Sequence, residues 1–342
     1  MIVKKMPILQ GFPDIETVKN LSNFYTENED FIPLFYDIET TGLARNSTFL
    51  YLVGAVLFEA GTWQFYQWFA ENPEEEPLIL TEFSKLLQTV THTIQYNGNH
   101  FDEPYLLAHL KLHDLPNAFD NKPALDLYQT LKPLKALLKL ADLKQPTLET
   151  FLKRPKRNAS DGKACIRLYR QYVKKPEQGL AETIMLHNEE DLLGLGQIFQ
   201  TLSYLCLYRG EYKIASCAYE EDSLLVILKT DTPLPAEFSN GSKLFYITGC
   251  AHSLRLRIFA PQKRLRRYYE NYKDYDYLPL EDTAMPKILT SHIEKSFKQT
   301  ATPQTCYTWF ACDEKFLASP ALQQEYLKHA LPVFLCSLTS KQ

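Results

Sequence analysis

Apolar positions fall first into short dense runs and then into longer stretches with helical spacing. PLFYDIE (33–39) is an apolar run that ends in acids, the pattern of a buried strand. TFLYLVGAVLFE (48–59) is rich in β-branched and aromatic residues, Gly61 supplies a turn, and TWQFYQWFA (62–70) alternates as a third strand. PLILTEFSKLLQTV (77–90) carries apolar residues at helical spacing behind the acids 74–76. TIQYN (93–97) and ALDL (124–127) add two strands, with a helix over 103–113 whose Pro104 lies in the first turn. A strand meander followed by alternating strands and helices predicts an α/β fold: a mixed five-stranded sheet flanked by helices. From 128 to 208 the pattern is helical, broken by the polar loop RPKRNASDG (154–162), and 181–205 reads as one long amphipathic helix.

Composition shifts near Arg209–Gly210. Beyond it, 212–231 reads as a hairpin, KLFYITG and SLRLRIFA as strands, and 284–298 and 320–330 as helices. The expected organisation is an irregular lead-in over 1–30, a first domain over 31–208, and a smaller β-rich α+β domain over 210–342. A chain of 342 residues suits two domains at about 150 residues each.

No apolar run approaches the roughly 18 residues of a membrane span, and the opening MIVKKMPILQGFPD has too short an apolar stretch for a signal peptide. Seven scattered cysteines without a CxxC pair fit neither a disulfide framework nor a cysteine zinc site. The expectation is a cytoplasmic protein without a membrane partner. Net charge is −4, yet Lys132 to Lys175 holds thirteen Lys/Arg against Asp142, Glu149 and Asp161. Such an excess is either a solvated helical face or a surface that tracks phosphates.

Three motifs carry chemistry. In Asp37-Ile38-Glu39-Thr40-Thr41-Gly42-Leu43, the i, i+2 spacing on a strand turns two carboxylates to one face, where they repel unless a cation lies between them. Hard divalent cations such as Mg²⁺ take such oxygen ligands. In YNGNHFDEPYLL (96–107), Asp102 precedes a helix, where the motif taken alone favours a helix cap, and Asn97 reads as a turn residue. In HNEED (187–191), His187 and Asp191 are i and i+4 and share a helical face.

In this order the motifs resemble those of the DEDD superfamily of 3′→5′ exonucleases. A histidine four residues before the last Asp is similar to its DEDDh branch, and 33–205 resembles the bacterial YprB-like, ribonuclease-H-like proteins. LDLYQTLKPLKALLKLADLKQPTLETFL (125–152) and LHNEEDLLGL share in the likeness. YNGNHFDEPYLL also looks like the exonuclease domain of family B DNA polymerases, which usually have Tyr at the position of His187; no polymerase motif follows in 210–342. The resemblance implies a ribonuclease-H-like fold and two Mg²⁺ or Mn²⁺ ions held by Asp37, Glu39, Asp102 and Asp191. It implies His187 as general base and single-stranded DNA or RNA, or its 3′ end, as substrate. Thr41, Gly42 and Leu43 would hold the terminal nucleotide, with Leu43 as a wedge, and Asn97 and Phe101 would shape the pocket. Lys153, Arg154, Lys156 and Arg157, with Lys263, Arg264, Arg266 and Arg267 further on, become candidates for guiding a strand. The competing expectations are a non-catalytic nucleic-acid-binding module that kept the fold, and an endonuclease.

Overall fold

In the computed structural model, which describes residues 1–22, 31–155 and 161–339, the chain divides into two compact units. One comprises 1–133 and 141–202, the other 134–140 and 203–342. The elements of the N-terminal half are β1 (Ile2–Ile8), α1 (Ile15–Ser22), β2 (Pro33–Thr40), β3 (Leu50–Glu59), β4 (Thr62–Phe69), α2 (Glu76–Leu87), β5 (His92–Gln95), α3 (Asp102–Leu112) and β6 (Ala124–Asp126). There follow α4 (Leu127–Thr130), α5 (Leu134–Leu137), α6 (Gln145–Phe151), α7 (Gly162–Lys174), α8 (Gln178–Phe199) and α9 (Cys206–Arg209).

The first unit is built on a mixed sheet of order β1-β4-β3-β2-β5-β6. β1 to β4, β4 to β3 and β3 to β2 pair antiparallel, while β5 runs parallel to β2 and β6 parallel to β5. The sheet has six strands where five were expected. Residues 1–30 are not an irregular lead-in in their described part: IVKKMPI alternates between half-buried and exposed positions and joins the sheet edge against β4. Phe12 then packs on Phe35 and Trp63 with ring centroids 4.9 Å away, and the Trp63 Nε1–H donates to the Pro13 carbonyl.

β2 is the central strand, and its two faces take different covers. Tyr36 points at Phe83 of α2 and at Phe119. Phe35 points the other way, at Phe199 of α8. Alternation along a strand puts Asp37 and Glu39 on the Phe35 face, so the acids inherit α8 as their neighbour. Burying Phe35 completely contributes about 2 kcal/mol. The close approach of α8 to the sheet depends on Gly54, opposite Asp37 on β3. A Cβ there would stand 2.0 Å from Asn188 Oδ1 and 2.5 Å from Leu192 Cδ1.

The second unit holds α5 and α9, then β7 (Lys213–Glu220), β8 (Ser223–Gly241), β9 (Phe245–Phe259), β10 (Arg264–Tyr268), β11 (Tyr275–Leu278), β12 (Thr283–Pro286), β13 (Gln299–Thr300), β14 (Tyr307–Ala311), α10 (Glu314–Leu317) and α11 (Pro320–Ser337). Its sheets have the orders β7-β8-β9, β10-β14 and β12-β11-β13. The expected hairpin at 212–231 forms, and the two strands expected at 243–260 merge into β9. The helix expected over 284–298 does not form. Ile288 and Leu289, which would have made its apolar stripe, are 82% and 56% exposed, and buried Thr290 donates its hydroxyl to Asp276 instead.

Candidate active site

Asp37 and Glu39 lie near the end of β2, where the register with β3 shifts between Glu39 and Thr40. α8 faces them with His187, Asn188 and Asp191. His187 Nε2 stands 3.2 Å from Glu39 Oε1 and 3.3 Å from Asp191 Oδ2. Asn188, fully buried, donates from Nδ2 to Asp37 Oδ2 at 2.8 Å. Asn188 is itself held by Gln67 of β4, whose Nε2 donates to Asn188 Oδ1 at 2.9 Å and to the Met185 carbonyl at 2.7 Å. Tyr51 donates to Glu39 Oε2 at 3.3 Å.

Asp102 comes from a third element. It is not the cap of α3: that position is Phe101, which makes no side-chain capping bond. Asp102 is buried, and its own backbone N–H and that of Ile38, between the two β2 acids, favour its charged form. The turn that delivers it needs its small and permissive residues. Asn97 adopts φ +62°. A Cβ on Gly98 would stand 2.0 Å from Gln95 Cγ. Asp126, at the end of β6, accepts from the backbone N–H groups of Asn97 and Asn99 and also caps α4 through Gln129 N.

Four carboxylates converging here disturb one another. Burial, then the charges of Asp191, Asp102 and Glu39, push the Asp37 carboxyl well above the carboxylate range, and the Asn188 hydrogen bond opposes them. Burial also raises Glu39, with His187 opposing and Asp191 adding. Asp102 is pushed up to about 7, by burial first, against the backbone hydrogen bond from its own amide. Glu39, His187 and Asp191 present ligand atoms within 4.8 Å of one another. Hard oxygen donors crowded together so that burial and one another's charge raise them fit a site for divalent cations.

The remaining sequence candidates divide. Thr41 pairs with Phe49 twice, its N–H donating to the Phe49 carbonyl and its hydroxyl accepting from Phe49 N–H at 2.9 Å. Thr40 donates its hydroxyl to the Gly42 carbonyl. Leu43 is 82% exposed. Phe101 packs against Tyr105. Arg154 is not a free surface cation: its Nη1 donates to Glu149 at 3.1 Å and to the Glu190 carbonyl, so it fastens α6 to α8. Lys153 is exposed; Lys156 and Arg157 lie outside the described residues. In the second unit, the Arg264 and Arg266 guanidinium groups lie 4.8 and 4.6 Å from the Trp309 ring centroid, and Arg267 lies 5.3 Å from that of Phe310. Asn188, Gln67 and Tyr51 were missed from sequence. Asn188 adjoins His187 in HNEED, and that adjacency was the available signal.

Residues 34–203 match the model of the RNase H superfamily, and with the sheet above they form an RNase H-like domain. Among solved structures, the family B DNA polymerase from the hyperthermophilic archaeon Pyrobaculum calidifontis is similar in part, with a TM-score of 0.39 and 13% identity over 59% of this chain. The likeness spans 34% of the polymerase chain, about a third of its length. No curated protein matches the chain. No helix among the described residues is long and apolar enough to cross a membrane.

Proposed function

We propose that the first unit is a divalent-cation-dependent 3′→5′ exonuclease of the DEDDh, YprB-like kind, acting on single-stranded DNA or RNA. One observation carries this reading: Asp37, Glu39, Asp102 and Asp191, from three separate elements, gather around one another beside His187. These four acids would hold two Mg²⁺ or Mn²⁺ ions, which when bound supply charge neutralisation and Lewis acidity at the phosphoryl group. The chain's own groups do the rest. His187 Nε2 is the ring atom turned toward the acids, and it would take the proton of the attacking water. An imidazole titrates near neutrality, so it can accept and release that proton at cellular pH. Asn188, locked by Gln67, fixes the rotamer of Asp37, and Tyr51 fixes that of Glu39. The Thr41–Leu43 segment would receive the terminal nucleotide, with exposed Leu43 against the last base and Asn97 and Phe101 shaping the pocket.

The test uses single-stranded DNA and RNA oligonucleotides labelled at the 5′ or the 3′ end, with Mn²⁺ or EDTA. A ladder of 5′-labelled products that shortens from the 3′ end, needs Mn²⁺ and disappears in Asp191→Ala is the expected result. Internal fragments from the outset would make the protein an endonuclease. Binding without cleavage under every metal condition would make it a non-catalytic module.

A further inference from the structure

A second group of ligating side chains lies outside the acids described above. Glu76 opens α2, and His109 and His113, at i and i+4, face it from the end of α3. Glu76 and His109 are each about 2% exposed or less, while His113 reaches solvent at 26%. His109 Nδ1 stands 2.7 Å from Glu76 Oε1, and His113 Nε2 stands 2.8 Å from Oε2.

The protonation of His109 is constrained by its other nitrogen. Nε2 lies 2.8 Å from the Arg45 carbonyl, which can only accept, so Nε2 carries the hydrogen. In the neutral ring Nδ1 is then a bare lone pair, and its near neighbour is a carboxylate oxygen that is also an acceptor. A cation has to stand between them. A proton would lie on the line joining the two atoms. The contact is out of line, and Nδ1 makes no hydrogen bond among the described residues. A metal ion sits to one side of the line between two of its ligands, which suits that offset. Ligand atoms on a tetrahedral zinc stand about 3.3 Å apart at bond lengths of about 2.0–2.1 Å, so loading opens these contacts by about half an ångström.

The surroundings complete the arrangement. A ligating histidine usually donates its second nitrogen to a carbonyl or carboxylate, as His109 does to Arg45. Leu50 N–H donates to Glu76 Oε1 at 2.7 Å, and the Tyr105 ring stacks on His109 with centroids 4.2 Å apart. Two imidazoles and a carboxylate with one side toward solvent suit zinc and its neighbours better than magnesium.

We propose that Glu76, His109 and His113 form a binding site for a transition-metal dication of the zinc class, structural in role, that ties α2 and α3 to the segment 41–49. The segment so tied carries Thr41 to Leu43, and α3 begins at Asp102. Zinc binding itself is independent of the nuclease reading. The test titrates Zn²⁺ into the EDTA-treated full chain in an Asp37→Ala background, with excess Mg²⁺. One Zn²⁺ per chain is expected. Adding His113→Gln is expected to weaken it about a hundredfold or more, since loss of an outer-shell partner alone costs about 10–100-fold. Equal zinc affinity with and without His113→Gln, or no zinc bound, overturns the proposal. Should the variants misfold, X-ray absorption on the wild type with one Zn²⁺ and excess Mg²⁺ decides. Two imidazoles per zinc support the site, and one or none overturns it, because the acid centre offers His187 alone.

Discussion

Asn188 bridges the sheet and the helix with a single amide: its nitrogen reaches Asp37 and its oxygen is taken by Gln67. Asn188→Ala removes both bonds in a fully buried place and leaves the Gln67 donor short of an acceptor. We expect a loss of about 1–3 kcal/mol in urea unfolding; a change within error would remove Asn188 from the account. Asp102 makes a prediction about pH. Its ordinary value is near 3.8 and burial lifts it to about 7 in the folded protein. Between those limits the folded state keeps a proton that the unfolded chain has released. The contribution of this group to stability in EDTA is therefore fully present below about pH 4 and is lost as pH rises through 7, by up to about 1.4 kcal/mol per unit. Denaturant midpoints across that range should fall more steeply for the wild type than for Asp102→Asn; equal slopes would contradict it. Asp37, Glu39, His187 and Asp191 were legible in the sequence because strand and helix periods put them on shared faces. Asn188 and Gln67 were not, because an amide gains a role only from what it touches after folding. Arg154 misled for the converse reason: a cation in a basic run looks free until Glu149 and α8 close over it.

At the scale of elements, the site is a matter of how closely α8 lies on β2 and β3. Gly54 sets that distance, and Gly196 repeats the device further along, where a Cβ would stand 2.2 Å from a Phe12 ring carbon. Gly54→Ala should push α8 off the sheet, cost about 1–3 kcal/mol by overpacking, and weaken Mn²⁺ binding more than Gly179→Ala, whose Cβ would meet nothing within 4 Å. Isothermal titration of the two variants compares them, and equal weakening would contradict the role assigned to Gly54. The strands β2 to β6 were readable from dense apolar runs bounded by turns. β1 was not, because two adjacent lysines in a short edge strand resemble a polar leader until β4 pairs with them. Lys4 of that strand reaches Glu189 of α8 at 2.6 Å, a contact that no local pattern announces. The absent 284–298 helix erred the other way, toward a spacing with no partner surface to bury it.

For the whole molecule, the division at 202/203 sends 134–140 into the second unit. There Asn240 donates to the Ala136 and Leu137 carbonyls at 2.7 and 3.0 Å, closing the end of α5. A boundary drawn by composition near Arg209 could not see this, because the segment is separated in sequence from everything it joins. A chain ending at 205 loses Asn240 and leaves those carbonyls without that donor. It should melt below the full protein or aggregate on size-exclusion chromatography, and an unchanged melting temperature would contradict the division. The gathering of four acids from β2, α3 and α8 is likewise a property of the folded first unit. Its most direct measurement is anomalous X-ray diffraction from crystals soaked in Mn²⁺. Anomalous peaks held by Asp37, Glu39, Asp102 and Asp191, lost in Asp37→Ala crystals, are expected. Saturating Mn²⁺ with no peak among those four carboxylates would contradict it.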